Sequence, residues 1–224
     1  MGKVQQRLGS IPLFDSLAAD QLEKLTRAAA RRSIRAREVL YEQGDRAPSC
    51  FAVLDGTMRF SVLLGKQKAT SGLASANDLF GLEALQSGGT RQETAIAGGP
   101  AELLEIGGDF LRGFLLENPR FQFQLLSYVI GKYHDKSTHA VQTGHYDAEQ
   151  RLASYLIENC GDRPLRGCRQ GLVVSQADLA DYLALTPETL CRKVSKFRKL
   201  GWIGGRGNDY VIMKPAALQQ LLDQ

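Results

Sequence analysis

The segment LTPETLCRKVSKFRKLGWI, residues 185–203, decides how the rest of this chain is read. Thr186 is a helix N-cap and Pro187 stands at the first helical position, where its missing N–H costs nothing. Leu190, Val194 and Phe197 then recur at i, i+4 and i+7, so one face of the helix must pack inward. Glu188, Arg192, Lys196 and Lys199 are left facing outward, with Thr189, Cys191 and Lys193 beside them. Gly201 ends the helix as a C-cap, and Trp202 and Ile203 return to an apolar core. One carboxylate among cations on an otherwise free helix face suits the major groove, where arginine grips guanine O6 and N7 and glutamate accepts from the cytosine amino group. An i,i+4 ion pair between Glu188 and Arg192 is the plainer reading of the same spacing.

The flanks agree with a helix-turn-helix. Ser175-Gln176-Ala177-Asp178 is a capping box that starts a short helix whose apolar side is Leu179, Tyr182 and Leu183, and Ala184-Leu185 makes the tight turn. Past Ile203, the turn residues 204–209 separate two short apolar runs, the second being Tyr210-Val211-Ile212. This spacing predicts a β-hairpin wing with Arg206 available to a phosphate. Between Thr186 and Arg206 lie six basic residues and one acidic one, on a chain whose net charge is only +4. That local concentration, rather than the total, is the footprint expected of a nucleic-acid partner, while on charge alone a merely solvated helix face would look the same. Base contacts are expected from Glu188 and Arg192. Backbone contacts are expected from Ser175, Gln176, Thr189, Lys193, Lys196 and Arg206.

Upstream, a helix from Ala148 to Asn159 carries Leu152, Tyr155 and Leu156 on one face, then a loop (161–171) and a strand over Leu172-Val173-Val174. Residues 110–144 read as helix, with Asn118 as cap and Pro119 in a first turn. Along it Leu126, Ile130, Tyr133, Ser137, Ala140 and Gly144 fall at steps of 4, 3, 4, 3 and 4. A period of 3.5 is the seam of two helices packed together, and predicts a homodimer through Leu126, Ile130, Tyr133, Ser137 and Ala140. Packing on the helix's own domain would write a similar pattern.

The first 115 residues open with a short helix, capped from Asp15, Ser16 or Asp20 and apolar at Leu17, Leu22 and Leu25. Short strands follow at Val39–Tyr41, Phe51–Leu54, Met58–Val62, Thr70–Leu73 and Leu103–Ile106, separated by Gly44-Asp45, Asp55-Gly56, Gly65-Lys66 and Gly98-Gly99-Pro100. This texture predicts an antiparallel barrel or roll. The whole chain is therefore expected to be α+β. Its parts are expected to be an antiparallel β domain (1–115), a dimerisation helix (116–145) and a winged helix-turn-helix (146–224).

Composition excludes several classes. The 43% apolar and 23% charged shares are those of a globular protein. No apolar run approaches the roughly 18 residues that span a bilayer, and the N-terminus lacks a signal-peptide pattern, so the cytoplasm is expected, with no membrane partner. Cys50, Cys160, Cys168 and Cys191 form no C-x-x-C pair, which argues against a zinc ribbon and for thiols packed as small hydrophobes. The chain carries no P-loop, G-x-G-x-x-G after a strand, G-x-S-x-G or H-E-x-x-H, so no enzyme is expected.

The segment 185–203, together with LYEQGDRAPSCFAVLDGTMRF (40–60) and NDLFGLEAL (77–85), resembles the CRP/FNR family of transcription regulators nearly end to end. The resemblance implies a cupin-like β-roll sensor, a long dimerisation helix and a hinge near Tyr146-Asp147, through which a ligand in the roll sets the spacing of two recognition helices. It also implies RNA polymerase as a partner. The family reads bases with a glutamate and an arginine four residues later, here Glu188 and Arg192. Pro187 stands where the cyclic-AMP branch has an arginine, and Cys191 approximates the small polar residue of the FNR branch. A TTGA-like half-site follows from that likeness.

For the effector, the family's cyclic-nucleotide binders use Gly-Glu for the ribose and Arg-Ser/Thr for the phosphate. Here the pocket candidates are Gly81, Leu82, Glu83, Arg91 and, from the long helix, Ser137. Leucine follows the glycine, Gln92 follows the arginine, and Lys136-Ser137 replaces a hydroxyl pair, so cyclic AMP is not expected. The cluster-bearing branch uses N-terminal cysteines, and this chain has none before Cys50, which argues against an iron–sulfur cluster. Haem needs an axial ligand. His134, His139 and His145 lie on no common helix face and read as solvated, with a single-histidine haem ligand, a small organic or gaseous effector, and no effector at all left open. A different class of protein, a cyclic-nucleotide-type sensor whose C-terminal helices dock a protein, is separated from this one by the outward Glu188 and Arg192 and by the wing.

Overall fold

The computed structural model describes residues 8–9, 11–159, 169–171, 175–205, 207 and 209–223. The chain divides into two compact units, Met1–Asp135 and Lys136–Gln224.

In the first unit, helix α1 (Ala19–Ala28) precedes strands β1 (Ala30–Ile34), β2 (Val39–Tyr41), β3 (Ser49–Asp55), β4 (Thr57–Leu64), β5 (Gln67–Ser75), β6 (Leu79–Phe80), β7 (Thr94–Ala97) and β8 (Ala101–Gly107). All pairs are antiparallel, in two four-stranded sheets of order β1-β8-β3-β6 and β2-β7-β4-β5. The fold is thus α+β with an N-terminal antiparallel β-roll, as the turn spacing predicts. β1, β6 and β7 carried too little apolar alternation to be read in advance. β1 is a run of arginines (Arg31, Arg32) held instead by cross-strand carboxylates, Arg31 on Glu102 and Arg32 on Glu105.

Strand β3 is buried on both faces. Phe51 and Val53 join Met58, Phe60, Phe80 and Leu103 between the sheets, while Cys50, Ala52 and Leu54 pack with Leu25, Leu111, Phe114, Phe121 and Leu125 on the helical side. Burial in that second cluster pushes the Cys50 thiol up to about 12, so it behaves as a small hydrophobe. Cys191 departs from the packed-thiol expectation, being exposed; Cys160 and Cys168 lie outside the described residues.

Two helix expectations are corrected. Neither Asp15 nor Ser16 caps α1. The N-cap is Ala18, whose amide donates to Gln21 Oε1 at 2.8 Å, and Asp20 lies in the first turn. The region 110–144 is two helices, α2 (Gly108–Glu117) and α3 (Pro119–His145). A residue before proline is driven out of the helical region, and Asn118 has φ −128° and ψ 73°. Its side chain serves α2, donating to Phe114 O at 2.7 Å.

α3 is two-faced. Phe121 and Leu125 are buried in the roll unit, and Tyr128 Oη accepts from Leu79 N at 2.8 Å. The opposite face leaves Leu126 (54%), Ile130 (48%) and Tyr133 (70%) exposed. Phe123, one turn earlier, is 72% exposed and extends the seam in a direction that the 4-3 pattern did not include.

In the second unit, α4 (Ala148–Glu158) is capped by Asp147, whose Oδ1 accepts from Glu149 N and Gln150 N. β9 (Arg169–Gly171) occupies the end of the expected loop, and pairs with β11 (Asp209–Ile212), which pairs with β10 (Ile203–Gly204). The expected strand over 172–174 lies outside the described residues. Helices α5 (Gln176–Tyr182), α6 (Pro187–Lys199) and α7 (Pro215–Leu222) complete the unit.

Gly56 makes the β3–β4 turn at φ +84°, and a Cβ there would lie 2.5 Å from Pro100 O and 2.8 Å from Ala101 Cα. Both the left-handed backbone and the backbone contact oppose a side chain. Gly56→Ala should therefore destabilise the roll by about 1–3 kcal/mol, read as a lower urea midpoint; an unchanged midpoint would mean the turn relaxes freely.

Candidate nucleic-acid interface

The local sequence builds the helix pair as expected. Ser175 Oγ accepts from Asp178 N at 3.1 Å and donates to the Asp178 carboxylate at 2.8 Å. Leu179, Ala180 and Leu183 are buried. The chain then turns at Ala184 with φ +52°, an uncommon conformation for a residue with a side chain. Thr186 caps α6 by accepting from Thr189 N at 3.2 Å. Leu190, Val194 and Phe197 are buried, and Phe197 meets Trp202 at a centroid distance of 5.1 Å. Gly201 has φ +67° and Trp202 N donates to Phe197 O at 2.9 Å, closing the helix end in the expected way.

On the outer face Pro187, Glu188, Cys191, Arg192 and Lys199 are exposed. The ion pair allowed by their spacing is not formed, since Arg192 Nη2 turns instead toward Thr189 Oγ1 at 3.5 Å. Lys193 and Lys196 are not free cations. Glu149, at the start of α4, accepts from both, at 2.8 Å from Lys193 and 2.6 Å from Lys196. Those two hydrogen bonds hold the Glu149 carboxyl below its usual range. Arg198 serves the wing, donating to Gly207 O at 2.8 Å and lying 5.5 Å from the Tyr210 ring centroid. Gln176 begins α5 and is half-buried. Arg206 lies outside the described residues. Sequence spacing alone could not reveal Glu149, because its partners stand 44 and 47 positions away.

The turn between α5 and α6 is held from outside. Arg151 Nη1 donates to Leu183 O and Ala184 O, both at 3.2 Å, and His139 Nε2 meets Tyr182 O at 3.0 Å. The His139 ring stacks on Tyr182, with centroids 4.1 Å apart and planes 8° apart. Thus His139 is half-buried rather than solvated, unlike exposed His134 and His145. No group of three or more His, Cys, Asp or Glu that could hold a metal occurs among the described residues.

In the roll, Gly81, Glu83 and Arg91 are brought together. Arg91 is 3% exposed and donates to Gly81 O at 3.2 Å and to Ser49 O at 2.6 Å, with Glu83 Oε2 at 3.8 Å. Its guanidinium lies 4.1 Å from the Tyr41 ring centroid and 5.5 Å from that of Phe51. Gly81 allows this approach, for at φ +74° an added Cβ would stand 2.6 Å from Arg91 Nη1. Leu82 packs partly buried against the helical-side core, and Ser137 is exposed on α3 in the other unit.

Comparison with known proteins agrees with this geometry. Residues 31–118 match the cyclic nucleotide-binding domain model, and residues 150–221 match the Crp-like helix-turn-helix domain model. The chain is 31% identical over 185 residues to the nitrogen fixation regulation protein FixK of Rhizobium meliloti, covering 81% of this chain and 82% of that one. It is 25% identical over 206 residues to the fumarate and nitrate reduction regulatory protein of Escherichia coli, covering 90% and 81%. The structure of FixK2 from Bradyrhizobium japonicum superposes with a TM-score of 0.77 at 25% identity, covering 86% and 96%. The chain belongs to the CRP/FNR family of transcription regulators. It joins a cyclic-nucleotide-binding-like domain to a helix-turn-helix DNA-binding domain, and no described helix is long and apolar enough to cross a membrane.

Burial holds His139 below its ordinary value of 6.5; the Tyr182 carbonyl and Glu158 oppose that shift and Arg151 adds to it. The folded unit therefore takes up its proton later than the unfolded chain, so the His139 contribution is complete above about pH 6.5 and is lost as the pH falls below it. Denaturation followed by Trp202, the one tryptophan, should show His139→Gln losing less stability than wild type between pH 7.5 and 5.5. Equal losses would mean that burial of His139 does not shift its titration on folding.

Proposed function

We propose that two copies of this chain read an inverted repeat whose half-sites are TTGA-like and about one helical turn apart. The observation that carries this reading is the exposure of Glu188 and Arg192 side by side, unpaired with each other, opposite the buried Leu190–Val194–Phe197 stripe. Arg192 donates to the guanine of the core and Glu188 accepts from its paired cytosine, with Cys191 and Pro187 against neighbouring base edges. Ser175, Gln176, Thr189, Lys193, Lys196 and Arg206 meet the phosphate backbone. The Ser175 hydroxyl does so by turning its one donor hydrogen from the Asp178 carboxylate to a phosphate oxygen, while still accepting from Asp178 N. The working parts are the sensor roll (1–115), the dimer helix and hinge (116–145) and the winged domain (146–224), acting in the cytoplasm with RNA polymerase as partner.

Dimerisation runs along Leu126, Ile130, Tyr133, Ser137 and Ala140, with Phe123 added by its exposure. The effector is not a cyclic nucleotide. The inward commitment of Arg91 to two carbonyls, a carboxylate and an aromatic face supports this, since an anion would have to displace those partners.

Arg192→Ala should cost roughly 1–3 kcal/mol at the guanine position and relax preference there in selections on randomised DNA. Weaker binding with the same selected motif would return Arg192 to a surface role. Ile130→Asp with Tyr133→Asp should yield monomers by light scattering, and an unchanged dimer mass would move the interface elsewhere.

A further inference from the structure

The geometry points to Glu149 as a built-in counter-ion that suppresses the sequence-independent part of DNA binding by occupying Lys193 and Lys196. The inference rests on α6 lying in the groove. Glu149 Oε1 accepts from Lys193 Nζ at 2.8 Å and from Lys196 Nζ at 2.6 Å, and Oε2 accepts from Lys196 at 2.8 Å. The carboxylate side chain is only 12% exposed, whereas Lys196 is 51% exposed. Its backbone is fixed as well, because Glu149 N is tied into the Asp147 cap at 2.7 Å.

A lysine that neutralises a phosphate displaces condensed counterions, and each such contact steepens the dependence of log K on log salt by about 0.9. A lysine already neutralised by a protein carboxylate must first give up that partner, so its gain from a phosphate is smaller. The compensation is selective. Lys193 and Lys196, on the flank of α6 nearest α4, share a carboxylate, while Arg192 on the outer face has only a hydroxyl partner among the described residues. Charge that reads a base is left available, and charge that attracts any duplex is damped. Because binding to non-specific DNA is almost wholly electrostatic, the damping falls most heavily there.

The test is Glu149→Gln in the full-length protein, titrated with a selected operator and with an unrelated duplex at several salt concentrations. The amide keeps the shape and removes the charge. The salt slope should steepen by about one to two units, reflecting one or two phosphate contacts made at full strength. Affinity for the unrelated duplex should rise several-fold, and the selected motif should stay the same. Lys196→Gln should flatten the slope more in the Glu149→Gln background than in wild type, a coupling that simple loss of folding would not produce. An unchanged slope, or weaker binding by Glu149→Gln with an intact Trp202 unfolding transition, would overturn the inference and make Glu149 a support for the lysines. Failure of the groove reading has its own signature, since wild type would then bind no duplex in a salt-dependent way, and the counter-ion role would fall with it.

Discussion

The burial of Leu190, Val194 and Phe197 fixes the rotation of α6 about its own axis, and every functional statement about the winged domain depends on that angle. A helix with 3.6 residues per turn allows only one arc to face outward once three positions on the opposite arc are committed. Glu188 and Arg192 face outward because Leu190 and Val194 cannot. The commitment is strong. A large-to-small change at a buried phenylalanine costs about 3–5 kcal/mol, several times what a surface pair between Glu188 and Arg192 would contribute. Core packing, not surface electrostatics, decides what this domain offers to DNA.

The roll shows the opposite use of charge. On α6 an arginine is kept outside and nearly unpartnered, whereas Arg91 is drawn inside and both of its terminal nitrogens are given carbonyl partners. A buried guanidinium is tolerable only when hydrogen bonds and opposite charge replace its hydration. Ser49 O, Gly81 O, Glu83 and the Tyr41 face supply that replacement. Arg91 is thereby part of the roll interior.

Legibility followed the strength of the local signal. The helix pair was readable because caps, proline and apolar period all act within a few residues, and Thr186, Pro187, Leu190 and Gly201 each behave as their chemistry requires. Strands β2 to β5 and β8 were readable from apolar runs between turn residues. β1, β6 and β7 were not, because β1 is charged, β6 is two residues long and β7 is mostly alanine and threonine, so each is held by its neighbours rather than by its own pattern. The break at Asn118 was present in the sequence, but the proline was read as a beginning and not also as the end of the helix before it. Glu149, Arg151 and His139 were invisible as site residues for a different reason. Each acts on a partner more than thirty positions away, at a distance set only by the packing of the second unit. Arg198 is one of the six cations between Thr186 and Arg206, yet its carbonyl partner belongs to the wing.

The turn at 182–184 leaves its carbonyls to donors from two earlier helices, and chain order gives that arrangement a meaning during synthesis. His139 and Arg151 leave the ribosome before the carbonyls they serve. The turn can therefore close on a template already made, as N-terminal parts fold first. The small sheet has no such head start, since β9 must wait for Asp209–Ile212 before it has a neighbour. Chain growth thus finishes the helix pair before the wing.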